Sequence, residues 1–391
     1  MKLTSRAARR ISAAAIAGTV ILLPAVALAS AGPAATAGTP ASGARPARLV
    51  TAYVVNQGSG TVTPINTATG KPGKAIKVGN SPGAIAITPN GKTAYVVNAG
   101  TIFVTGHTVT PIRTATNTAL KPIKVGILNV RVGANAIAIT PNGETAYVTN
   151  SGGNTVTPIN TATNTALKAI KVGSEPSAIA ITPDGKTAYV TSGRGVVPIN
   201  TATNTALKAI KVSADTIAIT PDGKTAYVTN DANTVIPINT ATNTALKAIK
   251  VGVGPGAIAI TPDGKTAYVA SHGSSPTFDG TVTPINTATN KAGKAIKADG
   301  GAIAITPDGK TIYVTNGASG TVTSIRAATN TVGKAIKVGS DPVASAITPD
   351  GMTAYVASAV SGTVTPINTS TNKAGKAIKV GDFPVSIAIT P

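Results

Sequence analysis

The 391-residue chain contains no cysteine and no tryptophan, and only three phenylalanines and two histidines. Without cysteine there is neither a disulfide framework nor a thiolate to act as nucleophile or metal ligand, so stability must come from packing. His107 and His272 are too few for a three-histidine metal centre, and each reads most simply as a loop-surface residue rather than a metal or haem ligand. Acid is scarce too: 13 Asp and Glu stand against 34 Lys and Arg, a formal net charge of +21. Gly252-Val253-Gly254-Pro255-Gly256 is glycine-rich, but its proline and the lack of a following helix exclude a dinucleotide loop. No acid pairs with a histidine at a spacing that supports hydrolysis, so no catalytic, cofactor or metal residue is assigned. Asp215, Asp299 and Asp341 are the acids that could in principle hold Ca²⁺ or serve a hydrolase.

The N-terminus is different in kind from the rest. Lys2, Arg6, Arg9 and Arg10 precede an apolar stretch from Ile11 to Leu28 that ends in Ala27-Leu28-Ala29, the pattern of a cleaved secretory signal over residues 1–29. Gly18, Thr19 and Pro24 inside the stretch argue against a retained anchor. Residues 30–50 are Ala, Gly, Pro, Ser and Thr with little bulky apolar side chain, and read as a flexible linker. The expectation is export to the extracellular space or cell wall, with no transmembrane anchor after cleavage.

From Thr51 to Pro391 the chain repeats itself. Tyr53, Tyr95, Tyr147, Tyr189, Tyr227, Tyr268, Tyr313 and Tyr355 account for every tyrosine, and each opens a Tyr-Val-x-Asn/Ser motif. Between copies come Thr-Val-Thr-Pro-Ile-Asn, Lys-Ala-Ile-Lys-Val and Ala-Ile-Ala-Ile-Thr-Pro-Asp-Gly. A period of about 42 residues with four short, β-branched, alternating segments is the signature of propeller blades. One unit predicts strands Thr155–Ile159, Lys168–Val172, Ala178–Thr182 and Thr187–Thr191, with a tight hairpin at Thr182–Thr187 and an Asx-rich turn at Asn160–Asn164. The fold class is all-β, a propeller of eight four-stranded blades. Its ring is closed by the C-terminal strand (Ser386–Thr390) joining the three N-terminal strands. The count falls to seven if the divergent unit Thr187–Ile219 does not form.

Tyr-Val-Thr-Asn with Ala-Ile-Thr-Pro-Asp-Gly-Lys upstream resembles the YVTN-type β-propeller repeat of secreted and surface-layer proteins. The resemblance covers nearly all of residues 51–391 and implies a scaffold or binding module, with a lactonase-like hydrolase as the enzyme alternative. One departure stands out. Pro64, Pro111, Pro158, Pro198, Pro237, Pro284 and Pro366 occupy third-strand positions where such repeats carry an aliphatic residue, Ser324 being the exception. Proline cannot donate to a ladder, so each must sit at a bulge or unpaired position, which leaves the pairing of the fourth strand open.

Comparison of the copies separates two faces. The spacing from first-strand Ile to Tyr is always eight, and from third-strand to fourth-strand Ile always eleven. All insertions fall in the other two connections, at Ala99–His107, Gly126–Asn135 and Ser271–Gly280, which an up-down sheet places on one face. That variable face carries Phe103, His107, Arg131, Arg194, His272, Phe278 and Phe383, and it is the expected contact surface for a protein or glycan. Phe103 and Phe278 equally fit a role as anchors of their own loops. The paired outer-strand lysines, such as Lys168 with Lys171 and Lys247 with Lys250, suit a guard against edge-to-edge aggregation, or contacts to an anionic wall polymer. Nucleic acid is disfavoured because no aromatic residues interleave with the lysines. The sequence reads as a monomeric, secreted, non-enzymatic interaction scaffold without a cofactor.

Overall fold

The computed structural model describes residues 49–100, 107–126, 136–274 and 279–391. Eight antiparallel sheets form the blades of a propeller. Blades are numbered by their tyrosines, from Tyr53 in blade 1 to Tyr355 in blade 8. In blade 3 the strands run Ile137–Ile139 (inner), Thr145–Asn150 (second) and Thr155–Asn160 (third), followed by the outer pieces Thr165–Ala166 and Ile170–Lys171. Blade 1 takes its inner strand, Pro384–Ile389, from the far end of the chain. That strand pairs antiparallel with Thr51–Asn56, with Tyr53 opposite Ala388. The ring is therefore closed by the C-terminal strand, and the unit Thr187–Ile219 contributes to full blades 4 and 5 rather than dropping out.

Period-two alternation builds the core. Within Thr-Ala-Tyr-Val-Val, Tyr53 and Val55 face forward onto Ala94 and Val96 of blade 2. Ala52 and Val54 face backward onto Tyr355 and Ala357 of blade 8. Repetition gives an apolar seam between each pair of neighbours and no single central core, as expected when each unit buries its faces only against the next. All eight tyrosine side chains are fully buried in these seams.

The fourth strand departs from expectation. It is not a continuous strand over Lys168–Val172 but two two-residue pieces separated by a bulge. Ile159 pairs with Ala166 and Val156 with Ile170, so three outer residues lie opposite Thr157 and Pro158. The proline faces this gap, and its carbonyl accepts the Leu167 amide at 2.8 Å. Ser324 of blade 7 sits in the same gap, with the same register and a 2.8 Å bond from Gly333 to its carbonyl. The bulge thus belongs to the repeat, and proline is tolerated there because no amide is needed.

Inner strands come in two lengths. Blades 1, 2, 6 and 8 have six-residue inner strands that begin at proline, whereas blades 3, 4, 5 and 7 have three-residue ones. The residue two after the tyrosine decides. Val55, Val97, Ala270 and Ala357 allow the longer strand. Thr149, Thr191, Thr229 and Thr315 shorten it by accepting an inner-strand amide on Oγ1, from Ala136 at 2.8 Å in blade 3 and from Ala302 at 2.9 Å in blade 7. Blade 4 has Pro176 and is still short, so the proline alone does not set the length.

Candidate functional site

One face is tied down by repeated polar contacts. In each hairpin of the Thr182–Thr187 type, the Thr182 hydroxyl donates to Asp184 at 2.6 Å while Asp184 accepts the Lys186 amide at 3.0 Å. These bonds hold the Asp184 carboxyl below the usual carboxylate range. Gly185 takes a φ of 73° that closes the turn. The next turn docks onto it, with Thr201 Oγ1 donating to the Gly185 carbonyl at 2.5 Å. Neighbouring blades are then latched. Tyr53 Oη donates to Asn117 of blade 2 at 2.6 Å, Tyr95 to Asn164 at 2.6 Å and Tyr147 to Asn204 at 2.7 Å, and the pattern runs on to Tyr313 and Asn372. Burial pushes the phenols of Tyr95, Tyr147, Tyr189, Tyr227 and Tyr313 up to about 12, so they remain donors. The latch fails only at ring closure, where Gly70 replaces the asparagine and Tyr355 reaches just the Thr67 carbonyl, at 3.2 Å.

The opposite face holds the connections that vary in length. Its two loop types pair with each other: Gln57 donates to Phe383 at 2.9 Å, Ala99 to Ser81 at 3.2 Å and His272 to Gly254 at 3.0 Å. Both loop types therefore share a face. Of the residues expected there, His107, Arg194, His272 and Phe383 are described, while Phe103, Arg131 and Phe278 lie outside the described residues. Arg194 is exposed in a two-residue hairpin, its stem against Gly173. His107 Nδ1 lies 3.1 Å from the Ala99 carbonyl, at the base of its own loop. His272 Nδ1 lies 2.6 Å from the Gly254 carbonyl, with its ring packed on Gly256 and its buried Nε2 unpartnered.

Two features of this face were not anticipated. The residue before the inner-strand proline is left-handed: φ is 51° at Ser81, 48° at Glu175, 56° at Asp341 and 53° at Phe383, against 66° at Gly254. Glycine adopts this conformation freely, and a bulky residue such as phenylalanine does so only under strain. Phe383 is nevertheless 42% exposed, so burial offsets that strain only in part. Asp215 is the second feature. Burial and the nearby Asp231 carboxylate push its carboxyl up to about 6. Burial also raises Asp341, whose Oδ1 lies against Gly317 of blade 7. Among the described residues, no three His, Asp or Glu side chains come together as a metal-ligating group.

A polar bridge behind this face is complete in some blades and broken in others. Asn150 Nδ2 donates to Thr155 at 3.0 Å and Thr157 at 2.8 Å, and Asn56 and Asn98 do likewise. Blade 6 has Ser271 in place of asparagine, too short to span the gap, and the Thr281 and Thr283 hydroxyls are left without partners. The outer strands carry Lys168, Lys171, Lys247 and Lys250, all exposed. Their bulges also divide the ring. The bulge residue is Leu120, Leu167, Leu207 and Leu246 in blades 2 to 5, but glycine in the other four.

Known structures place the architecture. The chain is similar to a hydrazine synthase structure from Kuenenia stuttgartiensis at 25% identity, over 74% of this chain and 96% of that one, with a TM-score of 0.59. It is also similar to dihydro-heme d1 dehydrogenase NirN in complex with DHE, at 14% identity over 86% and 74%, TM-score 0.71. A third similar structure is a putative 6-phosphogluconolactonase from Bacteroides fragilis, at 21% identity over 90% and 100%, TM-score 0.58. The last two, at 14% and 21% identity, show the propeller fold alone. No protein-family model matches the chain, and no curated protein matches it.

Proposed function

We propose that the chain is a non-enzymatic interaction scaffold of the YVTN-repeat kind whose contact surface is the variable face. The observation that carries this reading is the strain at Phe383, in a link where Gly254 does the same backbone work freely. A strained, exposed aromatic held by a rigid frame is a feature of binding surfaces rather than of folding, since stability alone would favour glycine. Arg194, His107 and His272 stand on the same face, and the partner class that suits such a surface is a protein or a glycan. The basic, apolar N-terminal segment supports an extracellular or wall-associated location. To test the reading, the Ala99–His107 and Ser271–Gly280 connections are cut to the length found in blade 3, and retention of extracellular-fraction partners is measured. Loss of retention is expected. Unchanged retention, or turnover of a lactone by the purified protein that Asp341→Asn abolishes, would contradict it.

A second reading concerns the circumference. Every outer strand presents exposed lysines, and none carries an acid, because all 13 acids lie in the turns and loops of the two faces. The four ion pairs among the described residues lie in the Asp-Gly-Lys hairpins and do not neutralise that rim. Such a rim suits an anionic wall polymer. Its binding should fall steeply as salt rises, and salt-independent binding would exclude this reading.

A further inference from the structure

Blade 7 departs from the repeat at two successive residues of one turn, and a cavity lies beside them. Six of the eight turns after the third strand begin with asparagine, whose Oδ1 accepts the amide three residues on and, in four of them, the amide two residues on as well: Asn160 takes those of Ala162 and Thr163 at 3.0 Å each. Arg326 fills this position in blade 7 and cannot accept. The Ala328 amide has no partner among the described residues, and that of Thr329 falls back on the Arg326 carbonyl at 3.4 Å. The following residue is also changed. Thr287 Oγ1 donates to the Gly264 carbonyl at 2.5 Å in blade 6, but Ala327 has no hydroxyl to give Gly309.

A cavity of about 650 Å³ lies beside this turn, between blades 6 and 7 on the fixed face. Asp263, Lys265, Asp308, Lys310, Arg326 and Ala328 are among its lining residues. Lys265 pairs with Asp263 at 3.7 Å and Lys310 with Asp308 at 3.5 Å. No such pair forms at Arg326 among the described residues, so the lining is left with one unmatched positive charge. In the same turn as that guanidinium lies an amide that an asparagine oxygen holds in four of the other blades.

We propose that this cavity binds a small polyhydroxylated monoanion, an acidic sugar. Its carboxylate takes the place of the missing asparagine oxygen, accepting from the Arg326 guanidinium and the Ala328 amide. Its hydroxyls meet the two Asp-Lys pairs, which can both accept and donate. Blade 2 provides an internal comparison: Arg113 also begins a turn, but Thr114 keeps its 2.6 Å bond to Gly91 and with it the usual docking of turn on hairpin. The site lies on the face opposite the proposed contact surface and stands or falls independently of it.

The test is a calorimetric titration of the full chain with glucuronate, glucose and acetate. Saturable binding of glucuronate is expected, with glucose and acetate each weaker by about tenfold or more. Arg326→Asn and Ala327→Thr restore residues that other blades carry, so both variants keep the fold. Each should weaken glucuronate about tenfold, the first by removing the cation and the second by closing the space. Absence of saturable binding to the parent chain, or equal binding by Arg326→Asn, would overturn the proposal.

Discussion

At the scale of single residues, the informative positions are those where one copy breaks the rule that its siblings keep. Gly70 is the clearest. Asn117, Asn164, Asn204, Asn243, Asn290 and Asn372 hold φ between 52° and 55°, and Gly70 holds 65° in open space. Gly70→Asn should supply Tyr355 with the missing acceptor and stabilise the protein by about 1 kcal/mol, read as a higher melting temperature. Asp215 gives a pH effect of defined sign. Its carboxyl titrates near 6 in the fold, above its unfolded value, so the folded state holds the proton more tightly. That stability is fully present below about pH 4 and is lost as pH rises through 6. With one side of the group open to solvent, the effect is about 1 kcal/mol. Asp215→Asn should remove this decline, and a variant whose stability falls just as steeply over that window would refute the assignment. The tyrosine repeat was plain in the sequence, but its hydroxyl's partner was not, because the accepting asparagine lies in the next blade, 57 to 69 residues away in the latches described. Nor was the left-handed backbone at Phe383, since no residue type signals it.

At the scale of elements, the hairpins and Asx turns follow from their residues, because Pro, Asx, Gly and Thr act within a few positions of one another. The outer strand does not. The seven prolines indicated a gap, yet Ser324 shows that the gap is set by the fixed separation of third-strand and outer-strand isoleucines, which leaves one residue too many in the outer strand. Ser324 occupies a backbone already shaped for proline, opposite Tyr313 as Pro158 is opposite Tyr147. Ser324→Pro should therefore be tolerated and should stabilise by about 0.4–1 kcal/mol through the unfolded chain. A loss of more than about 1 kcal/mol in a denaturant titration would mean that its amide is used in the fold. Inner-strand length is readable in hindsight from the residue two after each tyrosine, where threonine competes with the ladder for a backbone amide.

At the scale of the whole molecule, two halves of the ring differ in ways that a repeat-by-repeat reading does not reveal. Leucine fills the outer bulge in four consecutive blades and glycine in the other four, and the closing seam is the one that lacks a tyrosine-to-asparagine latch. Closure itself was legible from the phase of the repeats, since the first Tyr-Val motif has no first-strand motif before it and the Ser386–Thr390 motif has no Tyr-Val motif after it, and the two pair. The site was less so: side chains that vary between copies identify a face, but not which of them meet. On the function proposed above, the fixed face and seams supply stability while the variable face keeps strain for binding. This division of roles is tested most directly by the variant Glu175→Gly, Asp341→Gly, Phe383→Gly, measured for melting temperature and partner retention together. Relief of about 1 kcal/mol or more at Phe383 alone predicts melting at or above the parent with retention lost. Melting below the parent with retention intact would contradict the claim.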